Sequence, residues 1–303
     1  MRGIITVLNT PFTADDQLDL RGLKANIQNA IDADVAGFLV PALASEVDSL
    51  SGDERAEVIE AVVTESAGRV PVIGGTGAAS QSARVLLARR AIELGCSGVL
   101  VNMPLEDEAT FERDLLEIDS LEPGFIMLQD WDPVGTGMPV PFIARLFERI
   151  PRFTWLKIEV IPAGPKYSEV IERTSGELRV AGGWAVMQMI EALDRGVDAF
   201  MPTGMHRIYT TIFQLYVSGD RDVARDLFDR VLPVLAFSNQ RLDISIAFFK
   251  RLLHAQGVYA TDRCRASVPA LDEIQSRIAD ELVSKVIAIT SELDRNQSID
   301  SAK

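Results

Sequence analysis

Eight short, continuous apolar runs recur along the chain, starting at Ile4, Gly37, Val70, Gly98, Gly124, Thr154, Leu178 and Asp198. They lie roughly 20 to 33 residues apart, the length of one strand-helix unit. Runs that are apolar without alternation suit strands covered on both faces, which is the situation of a buried parallel sheet. Between the runs the period becomes helical: Leu23, Ile27, Ala30 and Ile31 share a face, as do Val58, Ile59, Val62 and Val63. Punctuation agrees, with Ser51 and Glu54 forming a capping box, Gly95 and Gly196 standing where helix ends favour a left-handed residue, and Pro141 suiting a first turn. Eight such repeats in about 215 residues match a closed (β/α)8 barrel, because open doubly wound sheets more often carry five to seven strands. The expected fold is therefore α/β: a TIM barrel over residues 1–218 and a C-terminal helical extension over 219–303 packed on it. The extension shows helical patches at Leu227, Val231 and Leu235 and at Ile244, Phe248 and Leu252, and the polar residues Asn296 to Lys303 are expected to fray.

Composition narrows the function. Thirty Lys and Arg against 44 Asp and Glu give 303 residues a net charge of −14. Such a surface repels phosphate backbones and anionic lipid, so neither nucleic acid nor a membrane surface is the expected partner. No run approaches the roughly 20 apolar residues of a membrane span, and the N-terminal apolar stretch, ended by Asn9-Thr10-Pro11, is too short for a signal segment. Two cysteines, Cys96 and Cys264, make no disulfide framework and no CxxC pair, which points to a reducing cytoplasm. With only His206 and His254, a histidine-rich metal site or a Ser-His-Asp triad lacks material, and no metal or cofactor is expected.

In a barrel of this kind the reacting groups sit at the C-terminal ends of the strands. The sixth run, Thr154-Trp155-Leu156-Lys157-Ile158-Glu159-Val160, holds one of only six lysines inside an otherwise apolar strand. Loss of water disfavours an ammonium and favours the neutral amine that attacks carbonyls, so Lys157 is a Schiff-base candidate. Strand alternation puts Glu159 on the same face, toward the interior if Ile158 faces the helices. A purely structural ion pair is the competing reading. Gly74-Gly75-Thr76-Gly77 lacks the ending of a phosphate loop and reads as a tight turn. Ala44, Ser45 and Glu46 after the second run offer amides and a hydroxyl for a substrate carboxylate, and Gln129 and Asp130 after the fifth offer hydrogen-bonding groups. Thr203 and Gly204, with Trp131, Trp184 and His206, stand where late strands end and can shape a pocket.

These residues in this order resemble the dihydrodipicolinate synthase and N-acetylneuraminate lyase family. The likeness rests on Thr10-Pro11-Phe12, Ser45-Glu46, Leu50-Ser51-Gly52-Asp53-Glu54-Arg55, Val72-Ile73-Gly74-Gly75-Thr76-Gly77, Ala91 to Val99, and Trp155-Leu156-Lys157-Ile158-Glu159. The resemblance implies that Lys157 forms an iminium with a 2-oxo acid, that no separate cofactor is needed, and that the chain assembles as a homo-oligomer, a dimer or tetramer.

The departures narrow the expectation. The family's Gly-Thr-Thr-Gly-Glu loop reads here as Ala42-Leu43-Ala44-Ser45-Glu46, and its proton-relaying tyrosine after the fifth strand is Gln129. The tyrosine after the fourth strand is missing from Pro104-Leu105-Glu106-Asp107. Ser45-Glu46, Gln129-Asp130 and Lys157-Ile158-Glu159 instead resemble the branch of 2-keto-3-deoxy sugar-acid dehydratases. That branch implies loss of water from a sugar acid, with Glu159 moving the proton in place of the lost tyrosine. Retro-aldol cleavage or condensation with pyruvate is the alternative within this chemistry. A 2-oxo-acid-binding paralogue without turnover is the alternative outside it.

Overall fold

The apolar runs become eight strands joined edge to edge. The computed structural model describes residues 1–266 and 271–300, apart from the side chains of residues 184, 185 and 297–300. Strand and helix alternate as β1 (Gly3–Val7), α1 (Leu20–Asp32), β2 (Gly37–Val40), α2 (Gly52–Ser66), β3 (Val72–Gly75), α3 (Gln81–Glu93), β4 (Gly98–Val101) and α4 (Glu108–Asp119). The second half repeats the pattern with β5 (Ile126–Asp132), α5 (Val140–Arg149), β6 (Phe153–Val160), α6 (Gly164–Arg173), β7 (Arg179–Gly182), α7 (Met189–Asp194), β8 (Ala199–Phe200) and α8 (His206–Val217). Neighbours in sequence are neighbours in the sheet, and β8 pairs with β1 in parallel to close the barrel. The expected (β/α)8 fold is thus present.

Parity along each strand decides what enters the interior. Ile5, Leu39, Ile73, Met127 and Trp155 pack together inside the barrel, while their neighbours Ile4, Phe38, Val72, Leu128 and Leu156 belong to the larger layer between strands and helices. A wholly buried side chain of this size contributes about 1.5–3 kcal/mol, so a one-residue slip of a strand would exchange two packed faces at once. Helix ends follow their sequence signals. The Ser51 hydroxyl accepts from Glu54 N at 3.2 Å, and Ser51 N donates to the Glu54 carboxylate at 2.9 Å. Gly95 and Gly196 adopt φ of 93° and 88°, and Pro141 lies in the first turn of α5.

Three further helices follow the barrel: α9 (Arg221–Ser238), α10 (Leu242–Ala255) and α11 (Glu273–Asp300). The patches at Leu227, Val231 and Leu235 and at Phe248 and Leu252 are buried. Fraying from Asn296 is not observed up to Asp300. Arg230 holds Glu292 at 2.6 Å and Arg207 holds Asp294 at 3.2 Å, fixing α11 close to its polar end; residues 301–303 lie outside the described residues. Both cysteines are free, and burial pushes the Cys96 thiol up to about 12.

A buried polar chain ties the helical shell to β1. His206 Nδ1 lies 3.3 Å from Thr6 Oγ1, and its Nε2 lies 2.9 Å from Asn26 Oδ1. Asn26 Nδ2 donates to the Tyr259 hydroxyl at 2.9 Å, and that hydroxyl donates to Asn9 O at 3.1 Å. Asn26 Oδ1 is an acceptor, so Nε2 carries the imidazole proton and Nδ1 accepts from Thr6. No carboxylate faces this ring among these partners, and burial lowers its pKa from 6.5 to about 4. The unfolded chain therefore binds this proton below pH 6.5 while the folded chain refuses it until about pH 4, so stability falls as pH drops through that window. Relative to His206→Gln, the wild type is expected to lose about 3 kcal/mol more between pH 7 and 4 in urea titrations; parallel curves for the two proteins would contradict a neutral buried His206.

Candidate active site

Because Trp155 points into the barrel, Lys157 and Glu159, two and four residues on, do so as well, while Ile158 packs among the helices. Strand register then stacks three inward layers from β5 and β6: Met127 beside Trp155, Gln129 beside Lys157, and Trp131 beside Glu159. The upper two layers open into a cavity of about 380 Å³ at the C-terminal end of the barrel.

Lys157 Nζ lies 3.0 Å from Glu159 Oε2, with both side chains more than nine-tenths buried. The Gln129 amide donates to the same carboxylate oxygen, and its own carbonyl accepts from Asn102 Nδ2 at 3.1 Å. Asn102 follows β4, so three adjacent strands converge on one carboxylate. Gly183, just past β7, leaves the space that Glu159 occupies: a Cβ there would fall 1.9 Å from Glu159 Oε1. The arrangement gives an amine, a carboxylate at proton-transfer distance and an amide that fixes the carboxylate.

The segment after β2 borders the same cavity. Ala44 lines it, and its carbonyl accepts from Asn9 Nδ2 at 2.8 Å. The Ser45 hydroxyl does not face the cavity. It is wholly buried, donates to Leu8 O at 2.5 Å and accepts from Ala42 N at 3.0 Å, so it hangs the segment from the end of β1. Glu46 is likewise turned outward, paired with the fully buried Lys250 and accepting from Ala266 N at 2.6 Å. The neighbouring Phe12 ring lies 4.3 Å from the Lys250 ammonium. Asp130 has the opposite parity to Gln129 and faces the helices, where it pairs with Lys166 at 2.5 Å and accepts from Met138 N at 2.8 Å. Burial raises its pKa against those partners. Ser45, Glu46 and Asp130 thus position loops and lie outside the lining of the cavity that holds Lys157, although Glu46 borders an adjoining cavity together with Glu159, and Asp130 another together with Gln129 and Asn102.

Thr203 lines the cavity while its hydroxyl donates to Val7 O at 3.1 Å. Gly204 contributes backbone alone: its φ is 65°, and a Cβ would meet the Phe249 ring at 2.7 Å. Trp131 is partly exposed at the cavity mouth, His206 lies in the buried polar chain, and the Trp184 side chain lies outside the described residues. The expected tight turn at residues 74–77 is instead a strand end: Gly74 and Gly75 finish β3, Gly75 and Gly77 line the cavity, and the Thr76 hydroxyl donates to Leu100 O at 2.8 Å. Sequence reasoning missed Asn102, Gly183, Tyr209, Asn239 and Ser245. Asn102 stands at a strand end and was open to the same search; the others come from loops and helices with no periodic signal for a ligand site.

Among the described residues three lysines, Lys157, Lys166 and Lys250, are more than nine-tenths buried, each against a carboxylate, so burial alone does not distinguish Lys157. Its distinction is access to the cavity. Among the described residues no three potential metal ligands cluster, and no helix is long and apolar enough to cross a membrane.

A barrel with a lysine and a carboxylate facing a cavity at its strand ends defines a class of carbonyl-acting enzymes. The model of the dihydrodipicolinate synthetase family matches residues 1–114. An L-2-keto-3-deoxyarabonate dehydratase of Azospirillum brasilense is 30% identical over 285 residues, covering 89% of each chain. A 4-hydroxy-tetrahydrodipicolinate synthase of Pelobacter propionicus is 28% identical over 78% of this chain and 82% of the relative. The fold is shared with the dihydrodipicolinate synthase of Rhodopseudomonas palustris, at a TM-score of 0.84 and 20% identity over 94% of this chain and 97% of the other. The chain belongs to the dihydrodipicolinate synthetase family, a family of lyases.

Gly183→Ala is expected to displace the Glu159 carboxylate by at least about 1 Å, because close-packed interiors do not absorb such an overlap otherwise. A crystal structure of the variant checks this; an undisturbed Lys157–Glu159 contact would contradict the packing described.

Proposed function

We propose that the chain dehydrates a 2-keto-3-deoxy sugar acid through an iminium on Lys157. The observation that carries this reading is the Lys157 amine 3.0 Å from Glu159 at the cavity floor, with the Gln129 amide on the same carboxylate. Glu159 takes the ammonium proton, and the freed amine adds to C2 of the 2-oxo acid. Glu159 returns that proton to the hydroxyl of the adduct, which leaves as water to give the iminium and frees the carboxylate to act again. That cation acidifies the C3 hydrogens because the carbon-hydrogen electrons can move into the C–N bond, so the substrate's own carbonyl carbon is the electron sink and no cofactor is invoked. Glu159 removes a C3 proton, the enamine expels the C4 hydroxyl, and the proton held on Glu159 leaves with it as water. Hydrolysis of the remaining iminium restores Lys157.

The substrate carboxylate fits the segment after β2, whose bonds to Leu8, Asn9 and Thr10 hold Ala44 rigidly at the cavity edge. A preorganised backbone wall takes over from the absent hydroxyls. The name of the Azospirillum relative supports dehydration over condensation, as does Gln129, which lacks the acidic proton of a tyrosine relay.

Product analysis tests the reading. With a 2-oxo-3-deoxypentonic acid the wild type is expected to give a compound lighter by one water, Lys157→Ala to give none, and Glu159→Gln to turn over about 10²–10⁴-fold more slowly. Accumulation of pyruvate and an aldehyde instead would replace dehydration by aldol cleavage, and full activity of Glu159→Gln would remove it from proton transfer.

A further inference from the structure

Tyr209, on the first turn of α8, is wholly buried, lines the cavity, and its hydroxyl has no hydrogen-bond partner. A buried unpaired hydroxyl is costly, and free energy of about 1–3 kcal/mol is commonly recovered by a partner. Asn9 Oδ1 is also buried without a hydrogen-bond partner, but Asn9 is not among the residues lining the cavity, whereas Tyr209 is. Two more groups of the same wall have capacity to spare. The Ser245 hydroxyl makes no hydrogen bond among the described residues. Asn239 accepts from Ser238 Oγ at 3.2 Å and leaves its amide NH2 free. All three belong to the helices that follow β8, not to the strands that carry Lys157.

The charge around this wall is informative. Among the described residues lining the cavity Lys157 is the one cation, and Asp48 and Glu159 are anions. Arg241, at the outer rim, is already engaged by Asp243 at 2.6 Å. A phosphate or second carboxylate on the substrate would find no counter-charge here. The phenol is raised by burial alone with no charged neighbour contributing, which separates it from the Lys157–Glu159 pair.

We propose that Tyr209, with Ser245 and Asn239 of the same cavity lining, binds the uncharged hydroxyls at the end of the substrate remote from its 2-oxo group, selecting polyhydroxylated acids over pyruvate and over phosphorylated ones. This rests on the sugar-acid reading and names the residues that confer it. Tyr209 donates its O–H to a substrate hydroxyl, and Ser245 and Asn239 have donors for others.

Calorimetric titration in a Lys157→Ala background tests the proposal, because binding there needs no iminium. The unphosphorylated 2-oxo-3-deoxypentonic acid is expected to bind more tightly than pyruvate or the 5-phosphate. Adding Tyr209→Phe is expected to weaken the pentonic acid about three- to tenfold, the size of one neutral hydrogen bond, with pyruvate unmoved; Ser245→Ala shifts it in the same direction. The melting temperature of Tyr209→Phe is expected to match or exceed that of the parent, since an unpaired hydroxyl is removed. Equal affinity for the pentonic acid and pyruvate, tighter binding of the phosphate, or an equal loss for both acids in Tyr209→Phe would overturn it. Failure of the dehydration reading would show separately, in the products formed by the wild type.

Discussion

The Lys157–Glu159 pair sets the terms for the rest of the site. Two opposite charges removed from water are tolerated only together, since a lone buried ion carries a desolvation penalty that no apolar neighbour offsets. Closing a parallel barrel supplies the geometry, because residues two apart on β6 project inward one above the other. The groups around the pair serve its alignment: Gln129 from β5 donates to the carboxylate, Asn102 after β4 holds Gln129 in place, and Gly183 after β7 makes room for the carboxylate.

The same physics, turned outward, builds the walls. Lys250 with Glu46 and Lys166 with Asp130 are buried pairs that face helices and loops. Lys166 also donates to Met138 O at 2.7 Å, holding the loop after β5 just beyond Trp131 at the mouth. Lys250 donates to Arg263 O at 2.8 Å and so pins the chain after α10 against the segment that carries Ala44. Lys157, proposed to be catalytic, and the architectural Lys166 and Lys250 share burial and a carboxylate partner; lining the cavity separates Lys157 from the other two.

Much of this was legible in the sequence. Eight continuous apolar runs at strand-helix spacing sufficed for the barrel, since both faces of each strand are covered, and alternation alone placed Lys157 with Glu159. Alternation also carried a warning about Gln129 and Asp130: adjacent residues on a strand cannot both face the interior, and Asp130 does not. The directions of Ser45 and Glu46 were hidden for another reason. They sit in a short 3₁₀ segment with no fixed period, and Glu46 has φ of 56°, a turn that sends its carboxylate outward. Tyr209 had no signal at all, because an aromatic residue on the apolar face of a helix reads as core until the cavity beside it is seen.

Lys157, among the three buried lysines of the described residues, is the one proposed to bond covalently to substrate. Treatment with isotopically labelled 2-oxo acid and sodium borohydride, followed by mass mapping of the proteolytic peptides, addresses this assignment most directly, since borohydride fixes an iminium as a stable amine. Label is expected on the peptide containing Lys157 and none on those containing Lys166 or Lys250. Label on either of the latter, or none anywhere, would contradict the assignment.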